Sequence, residues 1–171
     1  MKVKFISIIP VYLFTTFIIM VSIYSCTSTK HSEAVISASK EETAQAINND
    51  RWIFVVNQIM PQNGRSRAAT SRYDVRSSKD TLKVQLPYFG RAYSGADVMT
   101  NNSPLDFTST DFDCAKDEGN NGKWNITIKP KDNREVQSLN FTLYDNGSAQ
   151  LNVLLTNRSP ISFSGSVMPR K

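Results

Sequence analysis

From Arg51 onward, apolar residues recur at every second position, and this period of two constrains the fold more than any other feature of the sequence. In TLKVQLP, residues 81–87, the apolar Leu82, Val84 and Leu86 alternate with polar neighbours. Because successive side chains of a strand point to opposite faces, such alternation is typical of a strand with one buried face. Alternation or a β-rich composition predicts further strands within residues 51–60, 71–80, 104–114, 123–130, 138–157 and 160–167.

Residues typical of turns and helix caps predict where these strands are connected and where a helix precedes them. Asn146-Gly147 lies between two alternating runs and predicts a hairpin, because these residues tolerate positive φ. Gly165 interrupts the last strand, which indicates a bulge or a close backbone approach. Ser39 and Glu42 fit a capping box, so a short helix is predicted over residues 40–49.

No long helical pattern separates the predicted strands, which excludes the parallel sheets of α/β proteins. The sequence therefore predicts a mainly β fold. We expect an antiparallel β-sandwich or partly open barrel of seven to nine strands with a short N-terminal helix.

The first 26 residues have the organisation of an export signal. Lys2 and Lys4 precede an uncharged apolar run, and the small residue Ser25 and then Cys26 follow it. The sequence Ile-Tyr-Ser-Cys that ends at Cys26 resembles the bacterial lipobox. The resemblance implies cleavage between Ser25 and Cys26, with a diacylglycerol added to the Cys26 thiol. An ordinary signal peptide and an uncleaved membrane anchor are the alternatives, since the run is long enough to span a bilayer.

Three segments follow from these features: a lipoprotein signal peptide at 1–25, a lipid-anchored tether at 26–38, and a single β-rich domain at 39–171. The tether is predicted from a composition rich in Ser, Thr and Ala without an apolar period. The expected location is the cell envelope, with the domain facing the periplasm or the exterior. Because no aspartate follows Cys26, resemblance to enterobacterial sorting rules favours the outer membrane over the inner one.

The net charge limits the classes of molecule that the protein could bind, and the cysteine content limits the disulfides that it could form. Loss of Lys2 and Lys4 with the signal reduces the 20 basic residues to 18 against 15 acidic ones, a net charge of +3. This balance is too weak to favour nucleic acid as a partner. If Cys26 carries lipid, Cys114 has no partner within the chain, so we expect no intramolecular disulfide and a half-buried thiol.

The residues needed for familiar enzyme chemistry are scarce. The one histidine, His31, lies in the predicted tether, which excludes a His-centred triad or a His-rich zinc site in the domain. Phosphate-binding and dinucleotide-binding glycine motifs are absent from the sequence. One acidic cluster leaves a carboxylate-dependent hydrolase or a calcium site open as minor alternatives to a solvated surface; it contains Asp106, Asp111, Asp113, Asp117 and Glu118. We therefore predict a non-enzymatic protein without a cofactor.

The segment LPYFGRAYSG, residues 86–95, is the candidate binding site. It places Tyr88, Phe89 and Tyr93 around Arg91, and aromatic residues with arginine recur where partners are held. Preceding arginines would add to a cationic surface: Arg65, Arg67, Arg72 and Arg76. The alternative is a loop whose aromatic rings pack over one end of the core. The predicted ligand is a small molecule, a glycan or a protein of the envelope, and a structural role in envelope assembly is the further alternative.

Two stretches also resemble a known family. Residues 63–95, NGRSRAATSRYDVRSSKDTLKVQLPYFGRAYSG, and residues 141–167, FTLYDNGSAQLNVLLTNRSPISFSGSV, resemble bacterial lipoproteins grouped as domain of unknown function 4251. The resemblance covers residues 50–168 and is most specific from Pro87 to Ser94. It implies a signal-bearing, mainly β domain of Gram-negative gut-type bacteria, and it supplies no reaction or catalytic residues.

Overall fold

The structure is a computed structural model that describes residues 29–93 and 103–170, with side chains from residue 38 onward. Within these residues, one helix precedes ten strands. Their bounds are α1 Thr29–Asn48, β1 Trp52–Pro61, β2 Arg67–Ala68, β3 Asp74–Ser78, β4 Thr81–Gln85, β5 Asp106–Ser109, β6 Phe112–Gly119, β7 Lys123–Pro130, β8 Val136–Tyr144, β9 Ser148–Leu155 and β10 Ile161–Pro169.

All the strands belong to one antiparallel sheet, which curls into a nearly closed barrel. The order across the sheet is β5-β4-β3-β1-β10-β9-β8-β7-β6, and the two-residue β2 pairs with β1 off this path. The two edge strands, β5 and β6, are consecutive in the chain and only two residues apart. The structure thus confirms the mainly β fold, and of the two predicted architectures it adopts the partly open barrel.

The inward-facing residues of alternating strands form the core. Along β7, Trp124, Ile126 and Ile128 are buried while the residues between them face outward. Near the start of β1 the rings of Trp52 and Phe141 meet edge to face, with centroids 5.0 Å apart. The period of two therefore predicted the buried face correctly, because the pleat fixes which side chains share it.

The two glycines selected from the sequence, Gly147 and Gly165, lie at a turn and at a close approach of two strands. Gly147 has a φ of 82° in the turn between β8 and β9, which confirms the predicted hairpin. Opposite Gly165, strand β1 shifts register between Val56 and Gln58. A side chain at Gly165 would overlap the carbonyl group of Val55, so the predicted close approach is also confirmed.

Helix α1 begins at Thr29 rather than near residue 40, so the prediction of its start was wrong. Within the predicted tether, residues 29–38 are therefore helical. The capping signal misled because Ser39 lies inside the helix, where its carbonyl accepts a hydrogen bond from Thr43 Oγ1 at 2.9 Å. Contacts divide the chain into two units, Met1–Ser37 and Ala38–Lys171. Among the described residues, no helix is both long and apolar enough to cross a bilayer.

The C-terminal end of α1 packs against the barrel. Ile47 is fully buried, and Lys116 Nζ on β6 donates hydrogen bonds to the carbonyls of Ile47 at 2.8 Å and Asn48 at 3.1 Å. Trp124 Nε1 donates to Asn48 Oδ1 at 3.0 Å. A cation at the last carbonyls of a helix satisfies groups that have no partner within the helix. The helix end is thus held by side chains of two strands.

Candidate functional site

The predicted binding residues lie on one loop, which follows β4 and is fastened to the turn before β10. The Tyr88 hydroxyl lies 3.0 Å from the carbonyl oxygen of Ser159 and 3.1 Å from that of Arg91. The N–H of Arg91 donates to Ser159 Oγ at 3.0 Å, and the N–H of Ser159 donates to the Arg91 carbonyl at 2.9 Å. Since Ser159 is buried, this network fixes the loop to the barrel.

A glycine makes this fastening possible. A Cβ at Gly90 would overlap the Tyr88 hydroxyl and would lie 2.6 Å from Ser159 Oγ. Any larger residue at that position would push the tyrosine away from its partners. The Tyr88 hydroxyl therefore fastens the loop, and the binding role predicted for Tyr88, Phe89, Arg91 and Tyr93 stays a prediction.

The end of the loop runs antiparallel to residues 157–159. Ala92 forms an isolated β-bridge with Arg158, and the N–H of Tyr93 donates to the Asn157 carbonyl at 2.8 Å. Residues 94–102, which include the last part of the predicted segment, lie outside the described residues.

With the backbone held in this way, the remaining predicted residues project outward. The side chains of Phe89 and Tyr93 are 43% and 69% exposed, far more than the core aromatics. Arg91 is also exposed. The guanidinium carbon of Arg67, on β2, lies 5.2 Å from the centroid of the Phe89 ring, a cation–π contact. Arg67, Phe89, Arg91 and Tyr93 together form what we call the aromatic–arginine surface.

Arg158 borders this surface from the opposite side of the loop. Its guanidinium carbon lies 5.5 Å from the Tyr88 ring centroid, and its Nε lies 3.8 Å from Glu135 Oε2. A cavity of about 110 Å³ lies beside it, lined by Arg134, Glu135, Asn157 and Arg158. The described residues that line this cavity thus include two arginines and one carboxylate, a positive local balance.

Two of the predicted arginines serve another site. Arg76 donates from Nε and Nη2 to the two carboxylate oxygens of Asp74, at 3.1 and 3.0 Å, and Arg72 Nε lies 3.6 Å from the same carboxylate. Asp74 is buried, so this pairing compensates its charge. Arg72 and Arg76 therefore pair with Asp74, whereas Arg67 has a cation–π contact with the loop residue Phe89. Arg65 is exposed.

The acidic cluster is dispersed along the sheet edge. Asp113 pairs with Lys131 across β6 and β7, and Asp117 and Glu118 are exposed farther along β6. Within residues 29–93 and 103–170, no three carboxylate, cysteine or histidine side chains converge as a metal site would require. Cys114, in the middle of β6, is exposed rather than half-buried as predicted, because β6 is an edge strand.

One carboxylate that the sequence analysis did not select has a clear structural role. Asp132 Oδ1 accepts from Ser109 Oγ at 2.6 Å, and its Oδ2 accepts from the N–H of Thr110 at 2.9 Å. These hydrogen bonds hold the pKa of Asp132 below its ordinary value, with the Ser109 hydroxyl contributing most. Asp132 fixes the corner at which the chain passes from β5 to β6.

Two further cavities lie elsewhere on the domain. One, of about 270 Å³, is lined by Arg72, Tyr73, Gln85, Leu86, Ser103 and Asp106. The other, of about 430 Å³, is lined by Glu42, Gln45, Ala46, Asn49, Arg51, Pro169 and Arg170. Both cavities are open to solvent and have polar and apolar lining in similar proportion, and neither includes a residue of the aromatic–arginine surface.

Sequence reasoning missed Ser159 and Arg158, which complete the loop site from a distant part of the chain. Their only local signal is the Ser-Pro turn that precedes β10. Ser25 and Cys26, the predicted cleavage and lipidation residues, lie outside the described residues.

Comparison with known proteins identifies the group to which the chain is related. A crystal structure of a DUF4251 family protein from Bacteroides eggerthii DSM 20697 superposes with a TM-score of 0.57 at 18% sequence identity. The match covers 80% of this chain and 91% of that one. At this identity the similarity shows a shared fold. No functionally curated protein matches the chain. The family model described as "Domain of unknown function (DUF4251)" matches residues 35–167, and the chain therefore belongs to the DUF4251 family.

Proposed function

We propose that the protein is a lipid-anchored lipoprotein of the cell envelope, without enzymatic activity, that docks a partner protein through the aromatic–arginine surface. The observation that carries this proposal is the outward projection of two large aromatic side chains, Phe89 and Tyr93, from a fastened loop. Aromatic residues and arginine are enriched at protein interfaces, and a few such anchors supply most of the binding free energy.

The shape of the surface supports a protein rather than a small molecule. Small-molecule sites are concave and enclose most of their ligand. Phe89 and Tyr93 instead protrude, as anchors do when they insert into a pocket of a partner. A glycan or small ligand would require a concavity beside these rings; among the described residues, the cavities at residues 134–158 and 72–106 are lined by other side chains.

The fastening of the loop also supports a binding role. The Tyr88–Ser159 network and the backbone bonds at residues 91–93 restrict the loop before any partner arrives. A surface that is ordered in advance loses less conformational entropy on binding, and this increases affinity.

The proposed anchor is the acylated Cys26, and its support comes from the lipobox-like sequence alone. Each buried methylene of an acyl chain contributes about 0.8 kcal/mol, so two or more chains give stable membrane attachment. Replacing Cys26 by serine in the native host should abolish labelling by a palmitate probe. Labelling that persists in this variant would disprove the assignment.

Site-directed photo-cross-linking tests the docking surface in intact cells. A photoreactive phenylalanine analogue is placed at Tyr93, and the matched control carries it at Asn152, which is exposed on the outer face of β9. We expect one discrete cross-linked protein from position 93 and none from position 152. The partner, once identified and purified, should bind the full chain, and Phe89→Ala should weaken that binding about tenfold or more. Equal cross-linking from both positions, or affinity unaffected by Phe89→Ala, would disprove the proposal.

A further inference from the structure

We infer that the partner presents an acidic polypeptide segment, rich in aspartate and glutamate, to the aromatic–arginine surface. This inference rests on the proposed function and specifies the chemistry of the partner. The physical basis is the positive charge of the surface and the exposure of its arginine side chains, which form no ion pair with the described residues.

The charges around the loop are unbalanced. Among the described residues, Arg67 and Arg91 belong to the surface, and Arg134 lines the neighbouring cavity together with Arg158 and its ion-pair partner Glu135. The chain as a whole carries 20 basic and 15 acidic residues, so the imbalance at the loop is much steeper than the average. Complementary potentials accelerate association and select partners, which makes an acidic segment the matching surface.

The arginines at the centre of the surface are available to an incoming carboxylate. Arg67 and Arg91 are exposed, and neither forms an ion pair with the described residues, in contrast to Arg76 with its two bonds to Asp74. The cation–π contact keeps the Arg67 guanidinium carbon 5.2 Å from the Phe89 ring centroid, so the cation and the ring lie side by side at the exposed surface. A guanidinium can bind a carboxylate through two parallel hydrogen bonds.

The same stacking argues against a membrane as the acidic partner. Aromatic residues with neighbouring basic ones also occur where proteins lie on anionic lipid. Phe89 could enter the acyl region only together with the Arg67 guanidinium that covers its ring, and a charge in hydrocarbon is costly. A protein groove lined with carboxylates accommodates the ring and the guanidinium together.

The test is selection of binders from a random-peptide phage library, using the full chain purified in detergent. We expect the selected peptides to be enriched in Asp and Glu relative to the unselected library. For a synthetic selected peptide, Arg67→Gln and Arg91→Gln should each weaken binding about tenfold, the loss expected for one charge-assisted hydrogen-bonded pair. Glu135→Gln should tighten binding because it removes the repelling charge. The matched control Lys83→Gln removes an exposed positive charge on β4 and should leave the affinity unchanged.

The outcomes separate this inference from the proposed function. Neutral peptides whose binding requires Phe89 but tolerates both Arg→Gln substitutions would overturn the inference and leave the docking surface standing. Peptides that are indifferent to Phe89 and to both arginines would overturn the inference and the proposed function together. Tight binding to phosphatidylglycerol vesicles that requires both arginines, with no selection of acidic peptides, would assign the surface to lipid and overturn the inference. Unchanged urea midpoints of the variants establish that each one is folded.

Discussion

Gly165 lies at a close approach of the two central strands of the sheet, and its replacement by alanine should be among the most damaging small substitutions in the chain. Strands β1 and β10 are the fourth and fifth of the nine along the sheet. An alanine Cβ would overlap the Val55 carbonyl oxygen and would lie 2.9 Å from the Val55 carbonyl carbon, whereas ordinary contact begins near 3.4 Å. Because these are backbone atoms, they cannot rotate away, and the strands must separate.

The magnitude follows from that separation. Forcing one extra methyl group into a packed region costs about 1–3 kcal/mol. Moving β10 away from β1 also weakens the neighbouring ladder bonds, each worth about 1 kcal/mol. Relief of the entropy cost of glycine in a strand returns about 0.5–1 kcal/mol. We therefore expect Gly165→Ala to lower the free energy of unfolding by about 3 kcal/mol.

Urea unfolding of the full chain, followed by the fluorescence of the buried Trp52 and Trp124, measures this loss. The matched control is Gly119→Ala at the end of β6, where the nearest atom to the new Cβ would lie at 3.4 Å. The control should change the free energy of unfolding by less than about 1 kcal/mol. Equal losses in the two variants, or a Gly165→Ala loss below about 1 kcal/mol, would refute the close-approach argument.

Three further predictions concern side chains. Tyr88→Phe should lower the free energy of unfolding by about 1–2 kcal/mol, because it removes a hydroxyl bonded to buried Ser159, whereas Tyr93→Phe at an exposed ring should be neutral in the same urea assay. The pKa of Asp132 is lowered on folding, so the stability it contributes is present above its unfolded pKa and is lost as pH falls through the folded value. Asp132→Asn should therefore reduce the loss of stability on acidification from neutral pH to below about pH 4, and an unaltered profile in urea titrations would contradict this reading. Cys114 is accessible to solvent, but nearby protein atoms still desolvate its thiol in part, and this desolvation, with a contribution from Asp50, raises the thiol pKa. Iodoacetamide should therefore modify it more slowly in the folded chain than in urea, in a Cys26→Ser background. Equal rates in the two states would show that folding does not raise the pKa of this thiol.

The sequence by itself determined most of the strands and the side chains that line the core. Alternation along residues 81–87 and 123–130 specified which faces are buried, because a strand allows only two directions for its side chains. Gly147 and Gly165 marked a turn and a close approach, since each position has a local backbone or steric requirement. The family could also be identified from local runs, and the match over residues 35–167 agrees with that resemblance.

The sequence did not fix the true start of α1, since the capping box formed by Ser39 and Glu42 is also compatible with a helix interior. Exposure of Cys114 depends on β6 being an edge strand, which is a property of the whole sheet rather than of its own residues. A local sequence pattern indicates the secondary structure of a segment, but its burial also depends on which strands lie beside it. The strand order of the whole sheet determines those neighbours.

The candidate site likewise was predicted partly from the sequence and defined partly by the tertiary structure. The sequence selected the loop with Tyr88, Phe89, Arg91 and Tyr93, because aromatic residues around an arginine are unusual in one short segment. Only the tertiary structure assigned their roles: it turned Tyr88 inward to Ser159, some 71 positions away, and stacked Arg67 on Phe89. Such contacts join residues that are distant in the chain, and they form only where sheet pairing brings β2, the loop and the turn before β10 to one end of the barrel. Local propensity carries no information about these long-range contacts, so only the folded chain could distinguish the residue that fastens the loop, Tyr88, from the exposed residues Phe89 and Tyr93.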